Sequence, residues 1–290
     1  MPELPEVETT VRQLRSKIVG RVFVGVWSDW QKTIKKPKSF EQFKKDLKGK
    51  RVKDVRRRAK NVLIDLSGNK TLLVHQKMTG HLLVGKWTFR AGKWAPPKGP
   101  LQDKYNGYIH LMFTFKDGKM MGLSDLRKFA KVELWDTDEL KKSKDMQGLG
   151  PEPLEKSFTF DKFKKVLAGQ KRKIKQVLMD PYVIAGIGNI YSDEILFQAK
   201  VNPLKKTDDL SEKEMRAIFS AAKKILPFAV KLKGESFSDY RTPSGEKGDY
   251  DDERKVYRRT GEKCPRCGGI IKRVKVGGRS AHFCPVCQKL

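Results

Sequence analysis

Cysteine is missing from the first 263 residues of this 290-residue chain; all four cysteines fall in the last 27. That excludes a disulfide framework spread along the fold and leaves one cluster, which in a reducing compartment reads as a metal site. Acidic residues are scarce: 34 Asp plus Glu stand against 63 Lys plus Arg, a formal net charge of +29. The imbalance points to a polyanionic partner, nucleic acid first, although a generally lysine-rich proteome gives part of the same signal. No stretch approaches the roughly 18 to 20 apolar residues that span a bilayer; PYVIAGIGNIY at 181–191 is short and broken by glycines. MPELPEVETT lacks the basic and apolar regions of a secretory signal. No membrane role is expected, and the cytoplasm is the expected compartment.

The length suits two domains, each with its own core. Leu4, Val7, Val11, Leu14 and Ile18, spaced by three and four, predict an amphipathic helix that opens after Pro5 and stops at Gly20. Period-two runs follow at Val22, Val24 and Val26, at 62–66, at 71–75, and at Ile109, Leu111, Phe113 and Phe115, and these predict half-buried strands. Asp117-Gly118 marks a hairpin whose two central residues both take positive φ. Prolines and glycines between Arg90 and Gly107 suggest a long surface loop. Beyond the expected linker at 148–158 the period becomes helical, with Ser211 and Glu214 forming a capping box. A polar stretch at 237–252 reads as a mobile loop. The expected architecture is α+β: an N-terminal β-sandwich with a leading helix over 1–147, a helical domain over 159–253, and a zinc-binding β-hairpin over 254–290.

Cys264-Pro-Arg-Cys267 and Cys284-Pro-Val-Cys287 are separated by sixteen residues and can set four thiolates tetrahedrally around one structural zinc ion. In so short a segment the metal supplies on the order of 10 kcal/mol of folding free energy. Arg279, on the turn between, is then a rigidly presented cation for a phosphate. Pro2 becomes reactive only if Met1 is removed, which frees a secondary amine able to form an iminium with a sugar C1′. Glu3 and Glu6 lie within the next turn of chain and can shuttle protons. By spacing alone the same residues also read as an ordinary capped helix start.

MPELPEVETT closely resembles the N-terminal signature of formamidopyrimidine-DNA glycosylases, and the resemblance runs to the last residues of the chain. It implies Pro2 as nucleophile, Glu3 as the acid and base that opens the sugar ring, and Glu6 as a supporting carboxylate. RRRAKNVLIDL at 56–66 resembles the family's turn that carries a lysine into the site, implying Lys60 as a phosphate and sugar contact that completes the catalytic set with Arg279. HQKMTG at 75–80 and DLRKFAKVEL at 125–134 resemble the segments that enter the duplex, implying His75, Met78, Arg127 and Phe129 as DNA contacts. An apolar wedge and a cation offset the few kcal/mol needed to unstack a nucleotide. KIKQVLMD at 173–180 and VIAGIGNIYSDE at 183–194 resemble the helix–two-turn–helix, implying a C-terminal domain of that kind with Asn189 on a phosphate and Lys175 facing the lesion pocket. VYRRTGEKCPRCGG onward resembles the zinc-finger ending, with Tyr257 a further phosphate contact. Four places depart from the family pattern: Gln76-Lys77, Asn202-Pro203, Glu235 and Arg258.

The resemblance implies a bifunctional glycosylase and abasic-site lyase that excises oxidised purines by β,δ-elimination. DNA would lie in a cleft between two domains, and the enzyme would be a monomer with damaged double-stranded DNA as its partner. No redox or nucleotide cofactor is expected, and magnesium should be dispensable. Leu4 leans toward this branch, since the endonuclease VIII-like enzymes for oxidised pyrimidines usually begin Pro-Glu-Gly-Pro-Glu. A non-catalytic zinc-ribbon binder of nucleic acid also suits the charge and the cysteines, but it leaves Pro2-Glu3, Met78 and Arg127 unexplained together.

Overall fold

The computed structural model describes residues 1–236 and 239–290; positions 237 and 238, which fall in the expected mobile loop, lie outside the described residues. The chain forms two units, one of 1–147 with 232–251 and one of 148–231 with 252–290.

The first unit opens with α1 (Leu4–Ile18), whose five stripe residues are at most 3% exposed. Pro5 sits in its first turn, where a missing N–H costs nothing. The strands are β1 (Phe23–Ser28), β2 (Ile34–Lys36), β3 (Val52–Arg58), β4 (Asn61–Leu66), β5 (Lys70–His75), β6 (His81–Gly85), β7 (Thr88–Arg90), β8 (Lys93–Ala95), β9 (Ile109–Phe115), β10 (Met120–Ser124) and β11 (Lys131–Asp136). Three short helices accompany them: α2 (Phe40–Leu47) between β2 and β3, and α3 (Thr137–Lys142) and α4 (Lys144–Gln147) after β11. One sheet runs β1-β9-β10-β6 and the other β2-β11-β5-β4-β3. One core holds residues from both sheets and from α1, among them Phe23, Ile64, Val74, Leu82, Phe113 and Val132. This is the expected sandwich with its leading helix.

Two local expectations are corrected. In the β9–β10 turn only Gly118, and not Asp117, takes positive φ (78°), because the loop closes through a Phe115 N–H to Lys119 carbonyl bond and spans more than two residues. The 90–107 stretch is not a plain loop. It carries the β7–β8 hairpin, with Trp27, Phe89 and Trp94 packed ring against ring at 4.8–5.6 Å, and two 3₁₀ turns that bury Leu101 and Asn106.

The second unit contains α5 (Phe160–Leu167), α6 (Ile174–Met179), α7 (Asn189–Ala199) and α8 (Glu212–Lys231), then β12 (Lys272–Val276) and β13 (Arg279–Phe283). Helix α7 is buried from Ile190 through Phe197, the mark of a central helix wrapped by its neighbours. The capping box ahead of α8 is present: Ser211 N–H donates to Glu214 and Glu214 N–H to Ser211 Oγ. Residues 148–158 are not a free tether. Gly150 N–H donates to Pro181, and a Cβ on Gly150 would stand 2.4 Å from the Val183 carbonyl, so this stretch belongs to the unit's core. Residues 232–251, expected in the helical domain, instead join the first unit.

Leu14 has no exposed surface and sits in the common core of α1 and the two sheets. Leu14→Ala is expected to cost about 3 kcal/mol, the usual price of an unfilled core cavity, read as a lowered urea midpoint with unchanged slope.

Candidate active site and nucleic-acid interface

The first turn of α1 concentrates buried polarity. Pro2 is buried while Met1 is 38% exposed, and Glu3 and Glu6 are 2% and 1% exposed. Buried carboxylates need hydrogen bonds, and Glu6 finds them on backbone: one oxygen accepts from Glu3 N–H at 2.7 Å, the other from Glu235 N–H at 2.8 Å. Tyr240 donates its hydroxyl to the Glu6 carbonyl at 3.0 Å. Glu6 therefore holds Glu3 and the returning chain in one place, which suits a positioning role better than proton transfer.

Lys60 lies in the two-residue turn between β3 and β4, after Ala59 with φ 52°. Arg57 braces that turn, donating to the Ala59 carbonyl at 3.0 Å and to Glu8 of α1 at 2.9 Å. Burial first, and then the ammonium charges of Lys77, Lys60 and Lys131, push His75 down to about 3. Its Nδ1 accepts from Lys77 N–H at 3.0 Å, which leaves the ring proton on Nε2. His75 is thus a neutral donor set among cations.

Thr79 and Asp125 tie the remaining two segments together. Thr79 donates its hydroxyl to Asp125 in a short hydrogen bond and accepts from Arg127 N–H at 3.0 Å. The other Asp125 oxygen accepts from Ala130 N–H at 2.7 Å. Met78 is half-buried; Arg127 is exposed and stacks 4.7 Å over the ring of Phe129, itself 53% exposed. An exposed phenylalanine under a guanidinium is poor core and a good wedge. The pattern of the sequence held no sign of the Thr79–Asp125 bond beyond Asp125 standing two residues before Arg127.

In the second unit, Gly188 precedes α7 as its cap, and Asn189 Oδ1 has no hydrogen-bond partner among the described residues. The expectation that Lys175 faces a lesion pocket is corrected. Its side chain has no exposed surface, and its ammonium lies under the first turn of α7, donating to Asp193 at 2.5 Å and Ser192 at 3.2 Å. Asp193 also accepts from the backbone N–H and Nδ1 of His282, both at 2.9 Å, so α6, α7 and β13 share one buried carboxylate. Glu194 accepts from the N–H groups of Lys255, Val256 and Tyr257; burial still pushes its carboxyl up. Tyr257 packs its half-buried ring edge-on against His282, with centroids 5.1 Å apart. Arg279 is exposed just after the Gly277-Gly278 turn, where both residues have positive φ. A Cβ on Gly277 would lie 2.4 Å from Gln176 Nε2, so the turn rests directly on α6.

Cys264, Cys267, Cys284 and Cys287 place their sulfurs within 4.8 Å of one another, with two cross-pairs at 3.9 and 3.5 Å. Tetrahedral thiolates at 2.3 Å from zinc stand about 3.8 Å apart, so the set fits that ion. Burial and the neighbouring sulfurs push Cys287 up to about 12, a crowding that a divalent cation relieves. Asn202, one of the departures from the family pattern, donates to the Gln288 carbonyl at 2.8 Å and so fastens the second knuckle.

A sandwich with a buried N-terminal proline, exposed cations beside a bare aromatic ring, and a four-cysteine hairpin define a zinc-bearing protein built to engage nucleic acid. Residues 1–132 match the formamidopyrimidine-DNA glycosylase N-terminal domain, 149–241 the H2TH domain of the same glycosylases, and 261–290 a zinc finger found in FPG and IleRS. The chain belongs to the formamidopyrimidine-DNA glycosylase family. It is 38% identical to the formamidopyrimidine-DNA glycosylase of Pelotomaculum thermopropionicum, with 100% of both chains covered, and 39% identical to that of Carboxydothermus hydrogenoformans, again with 100% of both covered. Lactococcus lactis Fpg in complex with abasic-site DNA superposes with a TM-score of 0.86 at 35% identity over 99% of this chain and 100% of that one. The same enzyme with Fapy-dG DNA gives 0.86 at 34% identity over 99% and 100%.

His75 generates a pH prediction. Its folded value lies below the unfolded 6.5, so as pH falls from 6.5 toward 3 the unfolded chain binds a proton that the folded chain refuses. Stability is full above about 6.5 and falls by roughly 1.4 kcal/mol per pH unit below it. Between pH 7 and pH 5, His75 should account for about 2 kcal/mol of lost unfolding free energy. Urea titrations of His75→Asn at both pH values should show the drop reduced by that amount. The zinc site generates another. Chelation should release the hairpin that presents Arg279 and weaken DNA binding about tenfold or more, measured by fluorescence anisotropy on a lesion-bearing duplex; unchanged binding by zinc-free protein would contradict the assignment.

Proposed function

We propose that this chain is a bifunctional DNA glycosylase and abasic-site lyase that excises oxidised purines, 8-oxoguanine and formamidopyrimidines, from damaged double-stranded DNA in base excision repair. The observation that carries the reading is the buried Pro2-Glu3 pair fixed by Glu6 at the head of α1, in a chain of this family. Complexes of the Lactococcus lactis relative with Fapy-dG DNA and with abasic-site DNA support the substrate class.

With Met1 removed, the Pro2 nitrogen is a secondary amine. It attacks C1′ of the damaged nucleotide, the C1′–base bond breaks, and the base leaves with a proton. Glu3 donates a proton to the ring oxygen, which opens the sugar as the iminium forms between Pro2 and C1′. The iminium acidifies C2′; loss of that proton expels the 3′ phosphate, a second elimination expels the 5′ phosphate, and hydrolysis frees Pro2. Lys60, His75, Asn189, Tyr257 and Arg279 serve as phosphate and sugar contacts, while Met78, Arg127 and Phe129 fill the space the flipped nucleotide leaves. Lys175 acts from beneath, holding α7 and β13 through Asp193. The zinc ion supplies a structural crosslink, and no step passes through it. The enzyme works as a monomer in the bacterial cytoplasm.

Borohydride trapping tests this reading on a duplex with one 8-oxoguanine opposite cytosine, using protein verified to lack Met1. A covalent adduct is expected, reduced about tenfold or more in Pro2→Gly and Glu3→Gln. No adduct on this duplex or on an abasic site would leave a zinc-bearing DNA binder without the chemistry. A Lactococcus lactis relative, 35% identical, is also described in complex with DNA containing an oxidised pyrimidine. A thymine glycol duplex run alongside therefore measures whether pyrimidine lesions belong to the range.

A further inference from the structure

The first unit has a second pole, fixed by the direction of its own elements. Helix α1 opens beside Pro2 and Glu3 and runs 15 residues to Ile18. Strand β3 begins just after Arg51 and ends at the turn that carries Lys60, and β10 begins just after Lys119 and ends just before Asp125 and the Arg127 loop. Each of the three therefore has one end on the face assigned to the lesion. The other end lies roughly 15 to 23 Å away, at about 1.5 Å per helical residue and about 3.3 Å per strand residue.

Those far ends meet. Gly20 N–H donates to the Val52 carbonyl at 2.9 Å, Val52 N–H to that of Arg21 at 2.8 Å, and Lys116 N–H to that of Val22 at 2.9 Å. Between them lies an open cavity of about 450 Å³ whose charged lining residues are Arg21, Arg51, Lys116 and Asp117. Its two guanidinium groups are held by backbone: Arg21 Nε donates to the Lys17 carbonyl at 2.6 Å and Arg51 Nη1 to the Gly20 carbonyl at 2.8 Å. Asp117 pairs with Arg21, and among the described residues no carboxylate pairs with Arg51, Lys116 or Lys119. The Arg21 guanidinium first, then burial and the ammonium groups of Lys17 and Lys86, hold the Lys119 ammonium below its usual value. Cations from separate stretches of chain thus crowd one rim, with a single acid among the residues that line the cavity. Such crowding opposes folding unless something negative shares the rim. Solubility does not require it, since charges of both signs interspersed serve that end. An open rim with two fixed guanidinium forks and flanking lysines fits phosphates spread along a backbone.

We propose that this pole is a second DNA-binding surface, which takes the phosphate backbone of a duplex segment other than the one held at Pro2. The inference rests on the reading above that the Pro2 face engages DNA. Because the two surfaces lie at opposite ends of α1, β3 and β10, a duplex on the first leaves the second open. One protein then bridges two segments and passes from one to the other without first dissociating.

The test is stopped-flow dissociation of zinc-loaded protein lacking Met1 from a fluorescein-labelled duplex with a tetrahydrofuran abasic analogue, chased at fixed ionic strength with rising concentrations of unlabelled undamaged duplex. For the parent, the dissociation rate is expected to climb with competitor, about threefold or more over the range, as direct transfer requires. In Arg51→Gln/Lys116→Gln it should be independent of competitor. Lys116→Glu/Lys119→Glu, confined to the β9–β10 turn, should behave alike and covers the case that losing the Arg51 bond to Gly20 disturbs folding. Single-turnover excision of 8-oxoguanine should stay within about twofold of the parent in both, because distant sites act independently. A parent rate that is flat in competitor, or a slope retained in both variants, overturns the proposal. Excision lost in step with the slope overturns it too, by making these residues part of the catalytic interface. Sodium tripolyphosphate chased at matched phosphate concentration should not accelerate dissociation; if it matches the duplex, the rim is a small-anion site and the duplex assignment falls. Failure of the glycosylase reading shows separately, as a parent that binds the labelled duplex but excises nothing, and the competitor dependence still decides the second surface.

Discussion

The head of α1, where Pro2 and Glu3 lie, depends on one buried carboxylate. Glu6 accepts from Glu3 at one end and from Glu235, 229 residues along the chain, at the other. Neither bond is replaceable by water without opening the head of α1, and neither leaves an oxygen idle. Gly234 is what the arrangement demands: a side chain there would collide with the carboxylate, and its backbone already occupies a region closed to most residues. The helix that carries Pro2 is therefore anchored at its start by hydrogen bonds and along its length by Leu4, Val7, Val11, Leu14 and Ile18. The nucleophilic role proposed for Pro2 requires such rigidity, because small misplacements are costly once the attacking atom must meet a single carbon.

The second unit solves the same problem with two consecutive acids. Asp193 binds Lys175 and His282, and Glu194 binds three successive backbone N–H groups at 255–257. Both project from α7, so one helix orients α6, the strand that follows Arg279, and the chain leading into the zinc knuckles. The metal closes a hairpin whose turn already rests on Gln176 and whose last knuckle is fastened through Asn202 and Gln288. Zinc and the buried acids fix different degrees of freedom of the same short segment. The zinc sets the fold of the hairpin, and the acids set its orientation on the helices.

Local regularities were legible in the sequence. The α1 stripe, the strands β4, β5 and β9, the Ser211–Glu214 box and the cysteine spacing each depend on residues within a turn or two of one another, and the structure contains all of them; β4 and β5, however, are buried on both faces and not half-buried as alternation implies, because Leu63 and Leu73 pack with Leu140. What was not legible was non-local. Residues 237–252 looked like a polar loop, and 232–251 fell within the expected helical domain, because nothing in their composition reveals Glu6 at the far end of the chain. Lys175 looked like one more cation for DNA because charge does not report burial, and only the fold brings Asp193 to it. The 90–107 stretch was hidden by its prolines and glycines, yet its order comes from Trp94 on Phe89 and from Asn106 on carbonyls far away in sequence. Resemblance to a family carried the site residues where spacing alone allowed a capped helix and solvated lysines.

The distribution of charge follows from the same economy of acids. Many of the carboxylates pair with surface cations, as Glu41 does with Lys44 and Glu212 with Arg216, which contributes little to stability. The buried acids are held differently: Glu6 and Glu194 are satisfied mainly by backbone N–H groups, and Asp125 and Asp193 each accept from one as well. Such dipoles stabilise a buried anion without consuming a positive side chain. The consequence is that Lys77, Arg127 and Arg279 stand at the surface while the acids that organise their loops lie beneath them. Arg241 and Lys175 are buried cations paired with Asp103 and Asp193, and each lies where a segment is held against its neighbour. Positive charge at the surface and negative charge inside the joints is the arrangement expected of a protein whose ligand is a polyanion and whose reaction needs a fixed frame.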